Sequence, residues 1–374
     1  MQGENEYFPT DIAGLTAALQ AQRDYTLALY RDLPDALWEP SRVPYLPIIN
    51  PPLWELAHIA WFAEYFCLRY PQRFPTMPVS RLAAGDALFD SAKVPHAARW
   101  NNTYPHREAC FAYMREILAA AVEALQTSGP DSRYYFQLAL AHEDMHAEAL
   151  AMSLCALGLP LPDCVPKRGK LPADDADIVF AGGDVLLGDG TRRSFLFDNE
   201  KPAQRLVVKP FSISSRVVSA TEFAEFQASK AYHQQQLWSA EGWVWRQRNL
   251  REREGALSTE LAAIQLNFYQ AQAYCASINR RLPTEAEWEF AATHSAAYRQ
   301  SCGHVWEWTA SSFLPYPGFV EDAYKEYSTP WFGNHQVLKG GSFLTHPRLK
   351  YPQYRNFYLP ERTDMFAGLR TCAI

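Results

Sequence analysis

No two cysteines of this chain stand at CxxC spacing. The seven that occur (Cys67, Cys110, Cys155, Cys164, Cys275, Cys302 and Cys372) are odd in number and widely scattered. That distribution argues against a disulfide framework and against a zinc ribbon. Positive charge is also in short supply: 35 Lys and Arg face 41 Asp and Glu, a net charge of -6. A nucleic-acid partner is therefore not expected. No run of about 18 apolar residues suggests a membrane span, and the opening MQGENEYFPTD has neither a basic nor an apolar leader-like stretch. A cytoplasmic protein without a membrane partner is the expectation. Repeats and low-complexity tracts are lacking as well.

What the chain has is length and aromatic residues. At 374 residues it exceeds a single ordinary core, so two domains are expected. Most of its 11 Trp, 20 Tyr and 21 Phe must be core, yet aromatic walls also suit a cationic ligand. Residues from about 10 to 157 read as four helices. The first runs from Asp11 to Leu33, the second from Pro51-Pro52 to about Arg69, the third from near Pro105 and the fourth from near Asp131. The stretch from Tyr70 to Tyr104 is too long for a casual connection, so the four helices predict an up-down bundle with one long crossover. After Gly158 a Pro-rich, charged linker leads into short β-like runs, IVFAGGDVLLG and RLVVKPFSIS. Helices are predicted over Thr221 to Ser229 and Phe268 to Ile278, with the remainder as irregular loops on a small sheet. The boundary falls near 165–175, which divides the chain into 1–165 and 166–374.

Chemistry concentrates in the fourth helix. In YYFQLALAHEDMHAEALAMSLCAL, His142 and His146 share the apolar stripe of Tyr135, Leu138, Met145, Ala149 and Met152. Four residues of separation stack two imidazoles on one helix face, close enough to share a metal. In the second helix, PPLWELAHIAWF, His58 lies near the inward face. Three histidines converging inside a bundle are expensive to bury without a metal or another polar partner. Glu148, 200° around the helix from His146, stays outside the ligand set, and Glu55 is a candidate to support a ligand. Three neutral nitrogens with open positions suit zinc catalysis or ferrous oxygen chemistry, and the residues alone leave that choice open.

Seven segments carry a resemblance: WELAH at 54–58, HEDMHAE at 142–148, FDNEKP at 197–202, RLPTEAEWEFAA at 281–292, GHVWEWTASSF at 303–313, LKGGSF at 338–343 and RNFYLPERTDMFAGLR at 355–370. In order and spread they resemble the ergothioneine-biosynthetic sulfoxide synthases. The resemblance implies an α+β chain: a DinB-like four-helix bundle carrying the iron ligands, then a C-type-lectin-like domain related to the formylglycine-generating enzymes that completes the substrate pocket. It implies Fe(II) on His58, His142 and His146, O₂ as cosubstrate, and hercynine (N,N,N-trimethylhistidine) as the substrate modified at imidazole C2. It further implies substrate contacts from Asn356, Phe357, Tyr358 and Arg362, and a tyrosine that donates a proton or hydrogen atom, for which Tyr316 and Tyr324 are the candidates.

Two departures bear on the chalcogen donor. Met145 stands where the family commonly has Gln, and the family's RNWD is RNFY here, with Phe357 for Trp and Tyr358 for Asp. Losing an acidic partner for an ammonium while keeping Arg362 argues for a donor other than γ-glutamylcysteine or cysteine. Together with a shorter segment between Ala292 and Gly303, this favours the selenoneine synthase branch, which takes a selenosugar. Rival readings are a zinc-dependent DinB-type thiol transferase or hydrolase, a formylglycine-generating enzyme and a non-catalytic binding module. GGSFLTHPRLKYPQYR lacks the cysteine pair that a formylglycine-generating enzyme needs.

Overall fold

A computed structural model describes residues 7–70, 76–173, 175–189, 195–249 and 260–374. Parts of the N-terminal stretch, of the long crossover and of the linker discussed above lie outside these residues. The chain forms two compact units, Met1–Val165 and Pro166–Ile374.

The first unit is helical. Helix α1 (Ile12–Arg31) starts where the Asp11 carboxylate accepts the Gly14 amide at 2.7 Å, a side-chain cap on an otherwise unpaired donor. Helix α2 (Pro52–Ala63) opens with proline in its first turn and buries all twelve residues. A helix enclosed on every side needs no polar stripe, which is why WELAHIAWFA shows little amphipathic period. It continues as one π-helical stretch, Glu64–Arg69. A five-residue helix α3 (Gly85–Phe89) lies within the crossover, followed by α4 (Arg107–Gln126) and α5 (Pro130–Ala156).

Side-chain bonds fix the helix directions. Gln137 donates to the Pro9 carbonyl and Arg23 pairs with Glu143, so α1 and α5 run the same way. Cys67 meets the Tyr135 carbonyl while His58 meets His142 and His146, so α2 opposes α5. This is a bundle with one long crossover. The crossover clamps α2: Trp54 Nε1 donates to the Leu88 carbonyl, Trp61 Nε1 to Asp86, and Arg69 is held by Asp86.

The second unit is mixed. Strands β1 (Asp177–Phe180), β2 (Gly183–Leu187), β3 (Gln204–Val208) and β4 (Phe211–Ser214) precede helices α6 (Ala220–Ala228), α7 (Ala240–Arg248) and α8 (Phe268–Ser277). Then come β5 (Arg280–Arg281), α9 (Glu285–His294), α10 (Ala296–Gln300), β6 (Trp306–Ser312), β7 (Gln336–Lys339), β8 (Asn356–Tyr358), β9 (Ala367–Gly368) and β10 (Cys372–Ala373). They make three small sheets, ordered β1-β4-β10-β5, β2-β3 and β8-β7-β6-β9. The single small sheet with irregular loops expected from the sequence is thus corrected to three sheets with additional helices. Helix α9 is capped reciprocally by Thr284 and Glu287. Helix α7 buries Gly242 and Arg246, and its Gly242 sits against Tyr269, where a Cβ would come within 2.9 Å of the tyrosine side chain. Trp288, Trp306 and Trp308 are core residues, as are the ion pairs Arg355–Glu285, Lys339–Glu289 and Arg370–Glu307.

Candidate metal centre

The first unit brings together His58 of α2 with His142 and His146 of α5, one ligand nitrogen from each lying within 4.8 Å of the others. Two of the rings have their tautomers fixed by acceptors. His58 Nδ1 lies 2.8 Å from the Phe89 carbonyl, which can only accept, so Nδ1 carries the proton and Nε2 keeps its lone pair. His146 Nδ1 lies 2.8 Å from Glu55 Oε1, and the same argument leaves its Nε2 unprotonated. A carboxylate or carbonyl behind the imidazole is the usual support for a metal-bound histidine.

Ring stacking orients the other degree of freedom. Trp54 lies parallel to His58 at 4.7 Å and 9°, and the Arg99 guanidinium sits 4.0 Å from the Trp54 ring centroid. Phe62 lies on His142 at 3.5 Å and 2°. Trp54 and Phe62 stand four residues before and after His58, so one face of α2 delivers a ligand and both aromatic supports. Burial holds the His58 pKa well below the ordinary value, with the positive forms of His146 and Arg99 adding to the effect. Burial, then His146 and His58, lowers that of His142 likewise. Both imidazoles are therefore neutral at pH 7, the state that ligates.

These residues fit a cation. His146 Nε2 and His142 Nε2 face each other at 3.2 Å. Nitrogens each about 2.1 Å from one ion, at the angles of a tetrahedral or octahedral shell, stand roughly 3.0–3.4 Å apart. Three imidazole nitrogens without a carboxylate leave open positions, and that donor set takes zinc or ferrous iron alike. Glu148 is buried but belongs to no such cluster among the described residues. Met145 is half-buried on α5 beside His146.

The remaining predicted residues lie in the second unit. Tyr316 is buried, its hydroxyl donates to Glu285 at 2.9 Å, and the Arg355 guanidinium stacks on its ring at 4.2 Å. Its hydroxyl proton is engaged by that carboxylate within the core. Tyr324 is half-buried beside Tyr327. Phe357 stacks on Phe313 at 4.0 Å, so one of its faces belongs to the core. Tyr358 faces the Arg362 guanidinium at 5.1 Å, and Asn356 Oδ1 accepts the Phe357 amide. Arg362 in turn is held by Asp364, with Nε 2.7 Å from Oδ1. Asp364 is a partner that sequence reasoning missed, as were the stacking role of Trp54 and the Phe89 carbonyl, whereas Phe62 was expected beside His58 but not as the ring on His142. Only the aromatic pair four residues either side of His58 left a readable signal.

Residues 164–301 and 295–373 match the Sulfatase-modifying factor enzyme 1-like domain, more than half of the chain. A hercynine oxygenase of Mycobacterium tuberculosis is 30% identical over 390 residues, covering 87% of this chain and 91% of that protein. A hercynine oxygenase of Mycolicibacterium smegmatis is 29% identical with the same coverage of both chains. Ergothioneine biosynthesis protein 1 of Schizosaccharomyces pombe is 26% identical over 84% of this chain and 50% of its own length. With a helical bundle followed by a sulfatase-modifying-factor domain, and with similarity that runs through both, the chain belongs to the ergothioneine-type sulfoxide synthase family.

Proposed function

We propose that this chain is an Fe(II)- and O₂-dependent oxygenase that joins selenium, or sulfur, to imidazole C2 of hercynine, with a selenosugar as the donor. The observation that carries the reading is the convergence of three Nε2 atoms, two with fixed tautomers, in a chain whose relatives are hercynine oxygenases. His58, His142 and His146 would hold the iron, which supplies O₂ activation when bound. Phe89 and Glu55 keep two imidazoles in the ligating tautomer, and Trp54 and Phe62 limit ring rotation. The enclosed helix α2 keeps His58 away from bulk water. Overall, donor Se–H or S–H and imidazole C2–H lose their hydrogens. One atom of O₂ leaves with them as water, and the other leaves on the chalcogen as an oxide.

Tyr324 is the better counterpart of the family's hydrogen-donating tyrosine, since the hydroxyl of Tyr316 is engaged by Glu285. The donor assignment is supported by Met145, Phe357 and Tyr358. It is supported too by Arg362, whose charge is already matched by Asp364. A donor α-carboxylate would have to compete with that pair, whereas a sugar would not. The test is anaerobic reconstitution with Fe(II), then hercynine and O₂ with a selenosugar, γ-glutamylcysteine or cysteine in separate vials, read by mass spectrometry. A C2–Se product from the selenosugar is expected. Consumption of γ-glutamylcysteine with an inert selenosugar would move the chain to the sulfur branch, and O₂-independent activity with bound zinc would remove the oxygenase reading.

A further inference from the structure

Helix α1 carries an unusual stripe. Gln22 Nε2, Thr26 Oγ1 and Tyr30 Oη are buried polar atoms with no hydrogen-bond partner among the described residues. The indole Nε1 of Trp38, a residue whose ring lies 6.1 Å from that of Tyr30, is in the same condition. Gln22, Thr26 and Tyr30 are spaced i, i+4, i+8 and so share one face of the helix. Burying a hydroxyl or amide without a partner costs on the order of 1–3 kcal/mol each. Three in register on one face, followed by a fourth, are not scattered packing defects.

Successive members of the stripe are about 6 Å apart along the axis. Two hydrogen bonds of about 2.8 Å through one water span nearly that distance. Trp38 lines a surface cleft of ≈ 500 Å³ together with Leu27, Arg31, Arg107, Phe111 and Arg115, which gives the stripe an outlet to solvent. The other flank is polar: Arg23, next to Gln22, forms a buried bidentate pair with Glu143.

We propose that Gln22, Thr26, Tyr30 and Trp38 line a water-binding column inside the helical unit, a file of ordered water running from the cleft at Trp38 toward the buried Arg23–Glu143 pair. The column provides the buried Arg23–Glu143 pair, whose glutamate directly follows His142, with a hydrogen-bonded link to bulk solvent through α1. The ligand is water because the four partners are neutral, mix donors and acceptors, and are spaced for single-molecule bridges. An ion would find no counter-charge among them.

The test uses the metal-free full chain, so it stands or falls separately from the iron assignment. In threonine-methyl-labelled wild-type protein, the Thr26 methyl is expected to show a nuclear Overhauser effect from long-lived bound water. Thr26→Val and Tyr30→Phe remove one hydroxyl each at almost constant shape. Each is expected to lower the melting temperature by about 2–6 °C, and the double variant by less than the sum because the two share a bridging water. A dry interior predicts the opposite, since deleting an unsatisfied buried hydroxyl stabilises. Absence of the water signal, or variants that melt at or above the wild-type temperature, would overturn the proposal.

Discussion

Trp54 shows how much of the candidate centre is decided by a single side chain. Its ring covers His58 on one side, its Nε1 ties α2 to the Leu88 carbonyl, and the Arg99 guanidinium rests on it. Trp54→Phe keeps a stacking face and loses the tie, whereas Trp54→Ala loses both. The alanine variant is expected to bind Zn(II) or Co(II) more weakly by about 10-fold or more and to broaden the Co(II) visible spectrum, with the phenylalanine variant between it and wild type. Glu55→Gln removes the carboxylate behind His146, and a loss in metal affinity of about 10–100-fold is expected in the same titration. Unchanged affinity in both would show that the supports are packing only. His142 and His146 were readable as a pair from their four-residue spacing. The Phe89 carbonyl behind His58 was not, because a backbone oxygen 31 residues away leaves no trace in residue type.

Among the helices, α1, α2, α4, α5, α6 and α8 lie close to their expected bounds. The crossover was legible only as something too long to be idle. Its role depends on Asp86 and Glu64, which bond to partners many residues away. Asp86 takes Arg69 and Trp61, while Glu64 takes Ser80, the Arg81 amide and Tyr113. Glu64→Ala leaves the buried Tyr113 hydroxyl without this acceptor and the buried Arg69 without one of its carboxylates, and a loss of about 3–5 kcal/mol is expected by urea denaturation. A loss below 1 kcal/mol would mean that the crossover does not clamp α2. In the second unit, helices α7 and α9 were missed for different reasons. The first has no apolar period, and the second reads as a motif whose acidic residues turn inward to meet Lys339 and Arg355.

On the scale of the whole molecule, charge is buried in the second unit to a degree that composition could not disclose. Glu200, fully buried and bonded by Tyr351, has its pKa pushed up to about 8 by burial. In the unfolded chain the same carboxyl titrates near 4.3. Between these values the folded protein holds a proton that the unfolded chain has released, so this group's contribution to stability is complete below pH 4 and is lost as pH rises toward 8. Glu200→Gln should therefore flatten the fall in melting temperature between pH 5 and 9, measured by calorimetry, and an unchanged pH slope would contradict the assignment. No helix among the described residues is long and apolar enough to cross a membrane.

Simultaneous measurement of metal content and O₂ uptake decides whether His58, His142 and His146 hold a catalytic iron, as proposed. Protein reconstituted anaerobically with Fe(II) is predicted to bind one iron per chain. It should consume O₂ only when hercynine and a chalcogen donor are present, and His142→Ala should lose both the iron and the O₂ uptake. Full turnover by the zinc-loaded protein without O₂, or full activity in His142→Ala, would contradict the account.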